Sequence, residues 1–533
     1  YVVLGLSQGL FLFLRSFLLN VVISMRAAQK MHDQMSKAIF RAKMVFFDKN
    51  PIGRILNRFT RDFESLDAML VQSISQFVNT SAGTCGALVM ICIVYPYFII
   101  LAALMGAVFF AFTKFFRHSA RELQRLEAVT RSPMFSLLSE SLTGVATIQG
   151  YGMSKIVLKL ADQAIDTNTG IFYIMQACTN WLQMRLDLIS SALLLAVTLV
   201  PVLVPDLVGP GFAALAILYA FDLNQLMKMM ARMTAEVEQK FNAVDRVFDY
   251  VDNIDFEDEW VHPTDQDIPN GWPTVGQVEV KDVTMRYRPG LEPALRNISF
   301  KLIGGEKVGV CGRTGSGKSS VIVALLRMTE YEGLIQIDGV NLQKIGLHSL
   351  RQRIAMIPQD PVLFESSLRS NLDPLEVCSD DSELVNALKL VCLAEEVEKL
   401  GGLSFRVAEG GSNFSLGQRQ LICLARAILR RSKLVLLDEA TASVDPETDD
   451  IIQATIRSEF KSSSMMTIAH RLNTILDSDR IMVLEKGTLN EYDTPMNLAR
   501  NQHSLFHKLL QSAGCKEFLD KAMQADDHHR ETL

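Results

Sequence analysis

The stretch that decides the fold of the second half of this chain is Lys307-Val308-Gly309-Val310-Cys311, followed by Gly312-Arg313-Thr314-Gly315-Ser316-Gly317-Lys318-Ser319-Ser320. It predicts a strand that runs into a G-x-x-x-x-G-K-S loop and then a helix. Glycines in such a loop let backbone N–H groups face phosphate oxygens, and the helix N-terminus adds a favourable dipole. Lys318 would reach the β- and γ-phosphates, and the Ser319 hydroxyl would ligate Mg²⁺. The predicted nucleotide-binding residues of this loop are Gly312, Arg313, Thr314, Gly315, Ser316, Gly317, Lys318, Ser319 and Ser320.

A second apolar run, Leu434-Val435-Leu436-Leu437-Asp438-Glu439, ends in two carboxylates. Asp438 fits the acid that holds Mg²⁺ through a water molecule in a P-loop NTPase. Glu439 fits a general base that polarises the attacking water. The alternative, a core strand with an acidic cap, is disfavoured by the P-loop upstream.

Three more residues are predicted to belong to the nucleotide site because of their order and spacing around these motifs. A single Tyr or His without such a context is ordinarily structural. Gln359, in Ile357-Pro358-Gln359-Asp360, is predicted to sense Mg²⁺ and the γ-phosphate. His470 is predicted to contact the γ-phosphate and orient Glu439. Tyr287 is predicted to stack on the base, because an aromatic face accepts any base.

Hydrophobicity is concentrated in the first half of the 533 residues, although the whole chain is 49% hydrophobic and 21% charged. This composition excludes a disordered chain, and a net charge of −6 argues against a nucleic-acid partner. Eight cysteines without a CxxC pair indicate neither a disulfide scaffold nor a zinc module. Five stretches are apolar enough to span a bilayer, near residues 1–25, 71–95, 97–116, 186–204 and 208–230.

The distribution of Lys and Arg orients these spans. The long connections are basic and the short turns carry no Lys or Arg, so the positive-inside rule places the long connections in the cytoplasm. Tyr1 would then lie outside, and the odd number of spans leads us to expect one more helix before it. The predicted domains are a transmembrane domain (1–251), a linker (252–275), a cytoplasmic nucleotide-binding domain (276–514) and a tail (515–533). Breaks at 50–54 and 144–147 fit either short helices that touch a cytoplasmic domain or simple bends.

The P-loop, Gln359, Phe414-Ser415-Leu416-Gly417-Gln418, Asp438-Glu439, Ser443-Val444-Asp445 and His470 together resemble the nucleotide-binding domain of ATP-binding-cassette transporters. Phrases such as Asn371-Leu372-Asp373-Pro374 resemble the second half of the multidrug-resistance-associated (C) subfamily. The resemblance implies an all-α polytopic membrane domain of the exporter type, with long helices extending into the cytoplasm, followed by an α/β P-loop domain. It also implies ATP and Mg²⁺ as cofactors, and ATPase activity with Glu439, His470 and Gln359 as catalytic residues.

In this family two nucleotide-binding domains close head-to-tail. The resemblance therefore implies that the signature residues Ser415, Leu416, Gly417 and Gln418 serve the opposite site, with Asp445 in the D-loop. Leu416 replaces a glycine whose bare backbone can approach the γ-phosphate. We expect unequal sites: the one containing Glu439 hydrolyses ATP, and the one receiving Leu416 turns ATP over poorly.

Cations inside the spans indicate what is transported, because buried charges in a membrane usually face a cavity. Arg15, Arg185 and Lys228 suggest an anion-binding pocket, and the alternative is that Arg15 only pairs with an acid on a neighbouring helix. Trp181 matches a cavity-lining family segment, whereas Gln225 stands where the family often has Trp. The predicted function is ATP-driven export of organic anions, conjugates or amphipathic drugs, at the plasma membrane or an endomembrane such as the vacuole. The expected partner is a second nucleotide-binding domain and transmembrane half, and the alternative function is an ATP-gated ion channel or a channel-regulating subunit.

Overall fold

The computed structural model describes residues 2–204, 208–438, 446–469, 472–516, 518–520 and 522. The chain forms two compact units. The helical unit contains Tyr1–Phe40 and Pro51–Ile254, and the α/β unit contains Arg41–Asn50 and Asp255–Leu533. The short segment Arg41–Asn50 thus leaves the helical unit and packs with the α/β unit.

Within residues 2–204 and 208–252 the structure describes the α-helices α1 (Val2–Phe17), α2 (Ser24–Phe40), α3 (Met44–Lys49), α4 (Ile52–Asn57), α5 (Val71–Val94), α6 (Phe98–Thr143), α7 (Val145–Gly150), α8 (Ser154–Leu203) and α9 (Pro210–Asp252). Helix α3 lies in the segment that packs with the α/β unit. π-helical turns at Leu18–Ile23, Arg58–Asp62 and Ser65–Leu70 continue the neighbouring α-helices without a break. A short helix begins inside each predicted break: α3 ends just before Asn50-Pro51 and α4 begins just after it, at Ile52, and α7 begins after Gly144.

Four helical stretches of the described part of the chain are long and apolar enough to cross a membrane: Gly5–Phe40, Ile52–Val94, Phe98–Thr143 and Ser154–Leu203. Helix α9, where the fifth span was predicted, is not among them, and Asp222, Asn224 and Gln225 lower the hydropathy of its apolar half. The fifth span therefore stays a prediction. Helices α5, α8 and α9 nevertheless share a dry core, in which Ile91, Val197 and Ala220 are fully buried.

The strands of the α/β unit are β1 (Val278–Met285), β2 (Leu295–Leu302), β3 (Lys307–Cys311), β4 (Tyr331–Ile337), β5 (Val340–Asn341), β6 (Ile354–Ile357), β7 (Leu434–Asp438), β8 (Ser464–Ile468), β9 (Arg480–Glu485) and β10 (Thr488–Asp493). Its remaining helices are α10 (Lys318–Leu325), α11 (Leu347–Arg351), α12 (Leu368–Leu372), α13 (Asp381–Leu390), α14 (Ala394–Leu400), α15 (Leu416–Arg430), α16 (Pro446–Glu459), α17 (Pro495–Arg500) and α18 (Leu505–Ser512).

The described strands form two sheets. The larger has the order β10-β9-β3-β8-β7-β6, parallel from β9 to β6 with β10 antiparallel at one edge. The smaller is an antiparallel sheet of order β2-β1-β4-β5. In the sequence, apolar runs at 307–311, 354–357, 433–437, 465–468 and 480–484 each predict a strand, and these strands are β3, β6, β7, β8 and β9 of the larger sheet. A further run at 334–337 also predicts a strand, and it is β4, which pairs with β1 in the smaller sheet. The strands β1, β2, β5 and β10 were not predicted, and register shifts within β1 break the alternation that would have marked it.

The segment predicted as a linker is packed onto the α/β unit. The Trp272 side chain is 3% exposed, and its Nε1–H donates a hydrogen bond to the Ile337 carbonyl oxygen at 2.8 Å. The Asp338 carboxylate accepts hydrogen bonds from the backbone N–H groups of four successive residues, Thr274, Val275, Gly276 and Gln277. Part of the predicted tail is packed as well, since Leu519 and Ala522 are buried beside α18.

Candidate functional site

The predicted nucleotide residues follow strands that end at one edge of the larger sheet. The register pairs Val310 with Ile468, Ile468 with Asp438, and Leu437 with Ile357. Since β3, β6, β7 and β8 are parallel, their carboxyl ends lie side by side, where ligands bind in open α/β sheets. The loop after β3 is thereby brought to the same edge as the acid that ends β7.

The loop between β3 and α10 has a conformation that requires glycine. Gly315 and Gly317 have φ angles of 79° and 99°, in the left-handed region. A Cβ at Gly317 would lie 2.7 Å from the Ala294 carbonyl oxygen, and one at Gly312 would collide with the Leu484 carbonyl oxygen. The buried Ser316 fixes the middle of the loop, because its N–H donates to the Arg313 carbonyl oxygen and its own carbonyl accepts from Gly487.

Lys318 is the first residue of α10 and lies under this loop. Its side chain is 7% exposed, and its Nζ donates hydrogen bonds to the carbonyl oxygens of Gly312 at 3.0 Å and Arg313 at 3.2 Å. The ammonium group is therefore held inside the concave side of the loop, together with the positive end of the helix dipole. This arrangement suits the phosphate oxygens of a nucleotide.

The tertiary structure joins Ser319 of α10 to Asp438 of β7, 119 residues further along the chain. The Ser319 hydroxyl donates a hydrogen bond to Asp438 Oδ1 at 3.2 Å. A hydroxyl and a carboxylate are the hard oxygen ligands that Mg²⁺ prefers, so this pair fits the predicted metal. Gln359 is exposed and follows β6, whose last residue Ile357 pairs with Leu437 beside Asp438.

Tyr287 lies next to the nucleotide loop. Its hydroxyl is 2.9 Å from Ser320 Oγ in the first turn of α10, and its ring is half-buried against the core of the smaller sheet. This contact places the aromatic ring beside the P-loop helix, while stacking on the adenine stays a prediction. Glu439, Asp445 and His470 lie outside the described residues, so their predicted roles also remain predictions.

Burial affects a thiol at the entrance to the loop. Cys311, the last residue of β3, is 1% exposed, and this burial raises the pKa of its thiol to about 12. A thiol with so high a pKa stays protonated at neutral pH and is a poor nucleophile. We therefore assign Cys311 a packing role under the nucleotide loop.

The signature residues form the N-terminal cap of α15. Ser415 Oγ accepts a hydrogen bond from the Gln418 N–H at 3.2 Å, and Gln418 Oε1 accepts one from the Ser415 N–H at 2.7 Å. This reciprocal pair is a capping box, and its signal, S-x-x-Q, is visible in the sequence. Gln418 Nε2 also donates to the Glu396 carboxylate at 2.5 Å, a partner that no sequence pattern indicated. Leu416, the first helical residue, is half-buried, and Gly417 is buried.

In the helical unit, the three predicted cations have three different surroundings. Arg15 Nη1 donates to Asn79 Oδ1 at 3.1 Å, so its partner is a neutral amide and not the acid considered as the alternative. The Arg185 guanidinium lies 5.3 Å from the centroid of the Trp181 ring, which also packs against Phe112 and Phe115. Lys228 forms an ion pair with Asp187, so its charge is compensated. Gln225 is exposed.

Two protein-family models match the chain. The model described as "ABC transporter transmembrane region" matches residues 1–204, and the model described as "ABC transporter" matches residues 295–442. Mouse ATP-binding cassette sub-family C member 3 is 40% identical over 516 residues, which are 96% of this chain and 34% of that protein. Human ATP-binding cassette sub-family C member 4 is 41% identical over 96% of this chain and 38% of its own length. The chain belongs to the ABC transporters.

Similarity to the C subfamily extends beyond mammals. ABC transporter C family member 12 of Dictyostelium discoideum is 40% identical over 92% of this chain and 37% of that protein. The chain thus spans about a third of the length of the curated ABC transporters that it matches. As an ABC transporter chain it combines a multi-pass membrane region with an ATP-binding domain, which is the ATPase domain of this family.

Proposed function

We propose that the chain is one half of a C-subfamily ABC transporter that couples ATP hydrolysis to the export of organic anions, conjugates or amphipathic drugs. The observation that carries this proposal is the meeting of Lys318, Ser319 and Asp438 at one sheet edge, in a chain that also has long apolar helices. ATP-driven transport needs a nucleotide site and a path through the membrane, and this chain carries candidate residues for the first and apolar helices for the second.

Different residues of the site would bind the phosphates, hold Mg²⁺ and activate the attacking water. Lys318 and the backbone N–H groups of the loop would bind the phosphates, and Ser319 with Asp438 would hold Mg²⁺, Asp438 through water. Bound Mg²⁺ neutralises charge that develops on the phosphate oxygens. Glu439, next to Asp438 in sequence, would accept a proton from the attacking water. His470 would contact the γ-phosphate and orient Glu439, and Gln359 would sense Mg²⁺ and the γ-phosphate. Closing and reopening of the nucleotide-binding domains would drive the helices between inward- and outward-facing states.

A second nucleotide-binding domain would complete each of the two ATP sites. In a protein as long as the relatives, that domain would lie in the two thirds that this chain does not span. The cap of α15 supports this part of the proposal, since the N-terminus of a long helix favours a phosphate. Ser415 and Gln418 are bonded to each other at this end, and Leu416 is the first residue of the helix, where a side chain would crowd a phosphate at the helix N-terminus. We therefore propose that the site receiving Leu416 binds ATP but hydrolyses it slowly.

The substrate class rests on two cations of the helical unit, Arg15 and Arg185, whose contacts with the described residues are to uncharged groups. Arg15 is bonded to a neutral amide and Arg185 lies over an aromatic ring, and neither of these partners carries an opposite charge. Trp181 adds an aromatic surface for an amphipathic substrate. Lys228 contributes less, because Asp187 neutralises it. We propose an organic anion that has both a charged group and an apolar body.

The experiment that tests this function uses the full-length protein in inside-out membrane vesicles. Glu439→Gln should lower both the rate of ATP turnover and the ATP-dependent uptake of an organic anion by about a hundredfold or more, because the general base is lost. Glu459→Gln, which makes the same change at the exposed end of α16, is the matched control and should leave both rates unchanged. Unchanged ATP turnover in Glu439→Gln, or single-channel current on ATP addition without uptake, would contradict the proposal.

A further inference from the structure

The linker that follows α9 pairs with the segment that follows α2. Ala42 and Phe256 form an antiparallel β-bridge within the α/β unit. The Lys43 N–H donates to the Asp255 carbonyl oxygen at 3.1 Å, and the Glu257 N–H donates to the Arg41 carbonyl oxygen at 2.7 Å. Two stretches of chain, each directly joined to a long helix of the helical unit, are thus bonded to each other through their backbones.

Side chains reinforce this pairing. The Arg41 guanidinium lies 5.3 Å from the centroid of the Phe256 ring and 5.9 Å from that of Trp260, distances at which a cation is attracted to an aromatic face. Lys43 Nζ lies 2.7 Å from Glu330 Oε1, but the Glu330 side chain is 84% exposed, so water screens that ion pair. The backbone bonds and the aromatic contacts therefore hold the pairing.

The Glu257 side chain connects the pairing to a third element. Its two carboxylate oxygens accept hydrogen bonds from Nη1 and Nη2 of Arg351, both at 2.9 Å. The same guanidinium donates from Nε to the Leu326 carbonyl oxygen at 3.1 Å and from Nη2 to the Arg327 carbonyl oxygen at 2.9 Å. The Glu257 and Arg351 side chains are 15% and 28% exposed, so this bidentate pair is well shielded from water.

The carbonyl groups that Arg351 contacts follow the C-terminal end of α10. That helix begins with Lys318 and Ser319 of the nucleotide site and is eight residues long, about 12 Å at 1.5 Å per residue. Asp258, the next linker residue, pairs with Arg327, whose guanidinium also donates to the Leu342 and Ile345 carbonyl oxygens. One end of α10 therefore faces the nucleotide, and the other end is tied to the linker.

We propose that Glu257 and Arg351 are positioning residues that couple the nucleotide state of α10 to the paired segments at Arg41–Lys43 and Asp255–Glu257. Both residues lie outside the nucleotide loop and act through the helix. A short helix moves as a rigid body, so a displacement at Lys318 when phosphates bind is passed to Leu326 and, through Arg351, to Glu257. Glu257 passes it to Arg41 through its backbone N–H. The consequence for transport rests on the proposed function, whereas the coupling itself requires only nucleotide binding.

The test measures hydrogen exchange in the full-length protein, reconstituted in lipid nanodiscs, with and without a non-hydrolysable ATP analogue and Mg²⁺. In the unaltered protein, the analogue should slow exchange in peptides that cover Lys318–Leu325 and also in those that cover Lys43 and Glu257. In Arg351→Gln the slowing should persist at Lys318–Leu325 and be lost at Lys43 and Glu257. A merely structural role would change exchange equally with and without the analogue.

Three further variants make the comparison specific. Glu306→Gln breaks another half-buried pair of the same unit, Glu306 with Arg480 at 2.8 Å, and should keep the full response. Glu257→Gln keeps one accepting oxygen, so it should reduce the response at Lys43 without removing it. Arg351→Lys keeps the charge but not the forked donor, and should also give a reduced response. These two conservative variants decide the question if Arg351→Gln fails to fold.

The coupling is contradicted if Arg351→Gln retains the response at Lys43 and Glu257, or if the unaltered protein shows none there. Uptake of an organic anion is measured on the same preparations. Absence of uptake in the unaltered protein contradicts the proposed function alone, because the exchange response depends on nucleotide binding and not on transport. Loss of uptake in Arg351→Gln, together with loss of the exchange response, supports both.

Discussion

Among single residues, Leu416 has the most direct consequence for the proposed activity. The capping box of Ser415 and Gln418 holds the first turn of α15 without any contribution from the Leu416 side chain. Leu416→Gly should therefore raise ATP turnover of the full-length protein, by up to about twofold, because a second hydrolytic site would add to the first. ATPase assays on purified protein would measure this. Leu416→Ala removes most of the side chain, so its ATP turnover should lie between those of the unaltered protein and Leu416→Gly. A lower ATP turnover in both variants would contradict the proposal that the two sites are unequal.

Asp338 connects the linker to the α/β unit. Burial alone would raise the pKa of its carboxyl group, but hydrogen bonds from the N–H groups of Val275, Gly276, Gln277 and Thr274 hold that pKa below its ordinary value. A lowered pKa in the folded state adds stability above the unfolded pKa, about 3.9, and this stability is lost as the pH falls through the folded value. Asp338 should thus stabilise the unit at pH 7 and contribute little at strongly acidic pH.

Asp338→Asn should lower the free energy of unfolding at neutral pH by about 1–3 kcal/mol, because an amide offers one accepting oxygen in place of two charged ones. Thermal unfolding of the purified protein between neutral and acidic pH measures the effect, which should shrink as the pH falls. Asp282→Asn is the matched control: its φ angle is 50°, close to the 47° of Asp338, but within the described residues its carboxylate accepts a hydrogen bond from the Ser299 hydroxyl alone. Equal losses for both variants would contradict the role of the four N–H groups.

The element that most constrains the site is the loop between β3 and α10. Gly317→Ala should weaken ATP binding by about tenfold or more, because the new Cβ meets the Ala294 carbonyl oxygen at 2.7 Å in a backbone that already disfavours side chains. Titration with a fluorescent ATP analogue measures the affinity. Gly290→Ala is the control, because Gly290 has a φ angle of 86° but open space around a Cβ. This variant has the backbone strain without the collision, and the affinity of the protein for ATP should not change.

The elements also show where sequence patterns work. The P-loop and β7 are local patterns, so their spacing alone predicted them, and the S-x-x-Q signal of the α15 cap also lies within four neighbouring residues. Of the smaller sheet only β4 was predicted, because β1 has irregular register with both of its neighbours and its apolar residues do not alternate cleanly. The linker was predicted from its acidic residues and prolines, but its packing depends on Trp272 and Asp338, whose partners lie 61 to 65 residues away.

Across the whole chain, the balance of charge in the helical unit bears on the transported substrate. Arg185→Ala should lower ATP-dependent uptake of an organic anion by about tenfold or more, because an uncompensated cation is lost. Lys228→Gln should have a smaller effect, since Asp187 already neutralises that cation. Uptake into inside-out vesicles at several substrate concentrations measures both variants. Equal uptake by Arg185→Ala and the unaltered protein would remove Arg185 from the substrate site.

Local sequence patterns were enough to predict that one half of the chain requires lipid and the other water, and to predict the chemistry of the second half. Apolar stretches of about 20 residues and a G-x-x-x-x-G-K-S loop depend on neighbours within a few positions, so no fold is needed to identify them. The tertiary structure alone decided which residues meet. Ser319 and Asp438 are 119 positions apart, and Arg351 and Glu257 are 94 apart, so only strand register and helix packing bring them together. The same reason explains why Lys228 could be read as a free cation until the packing of α8 and α9 placed Asp187 beside it.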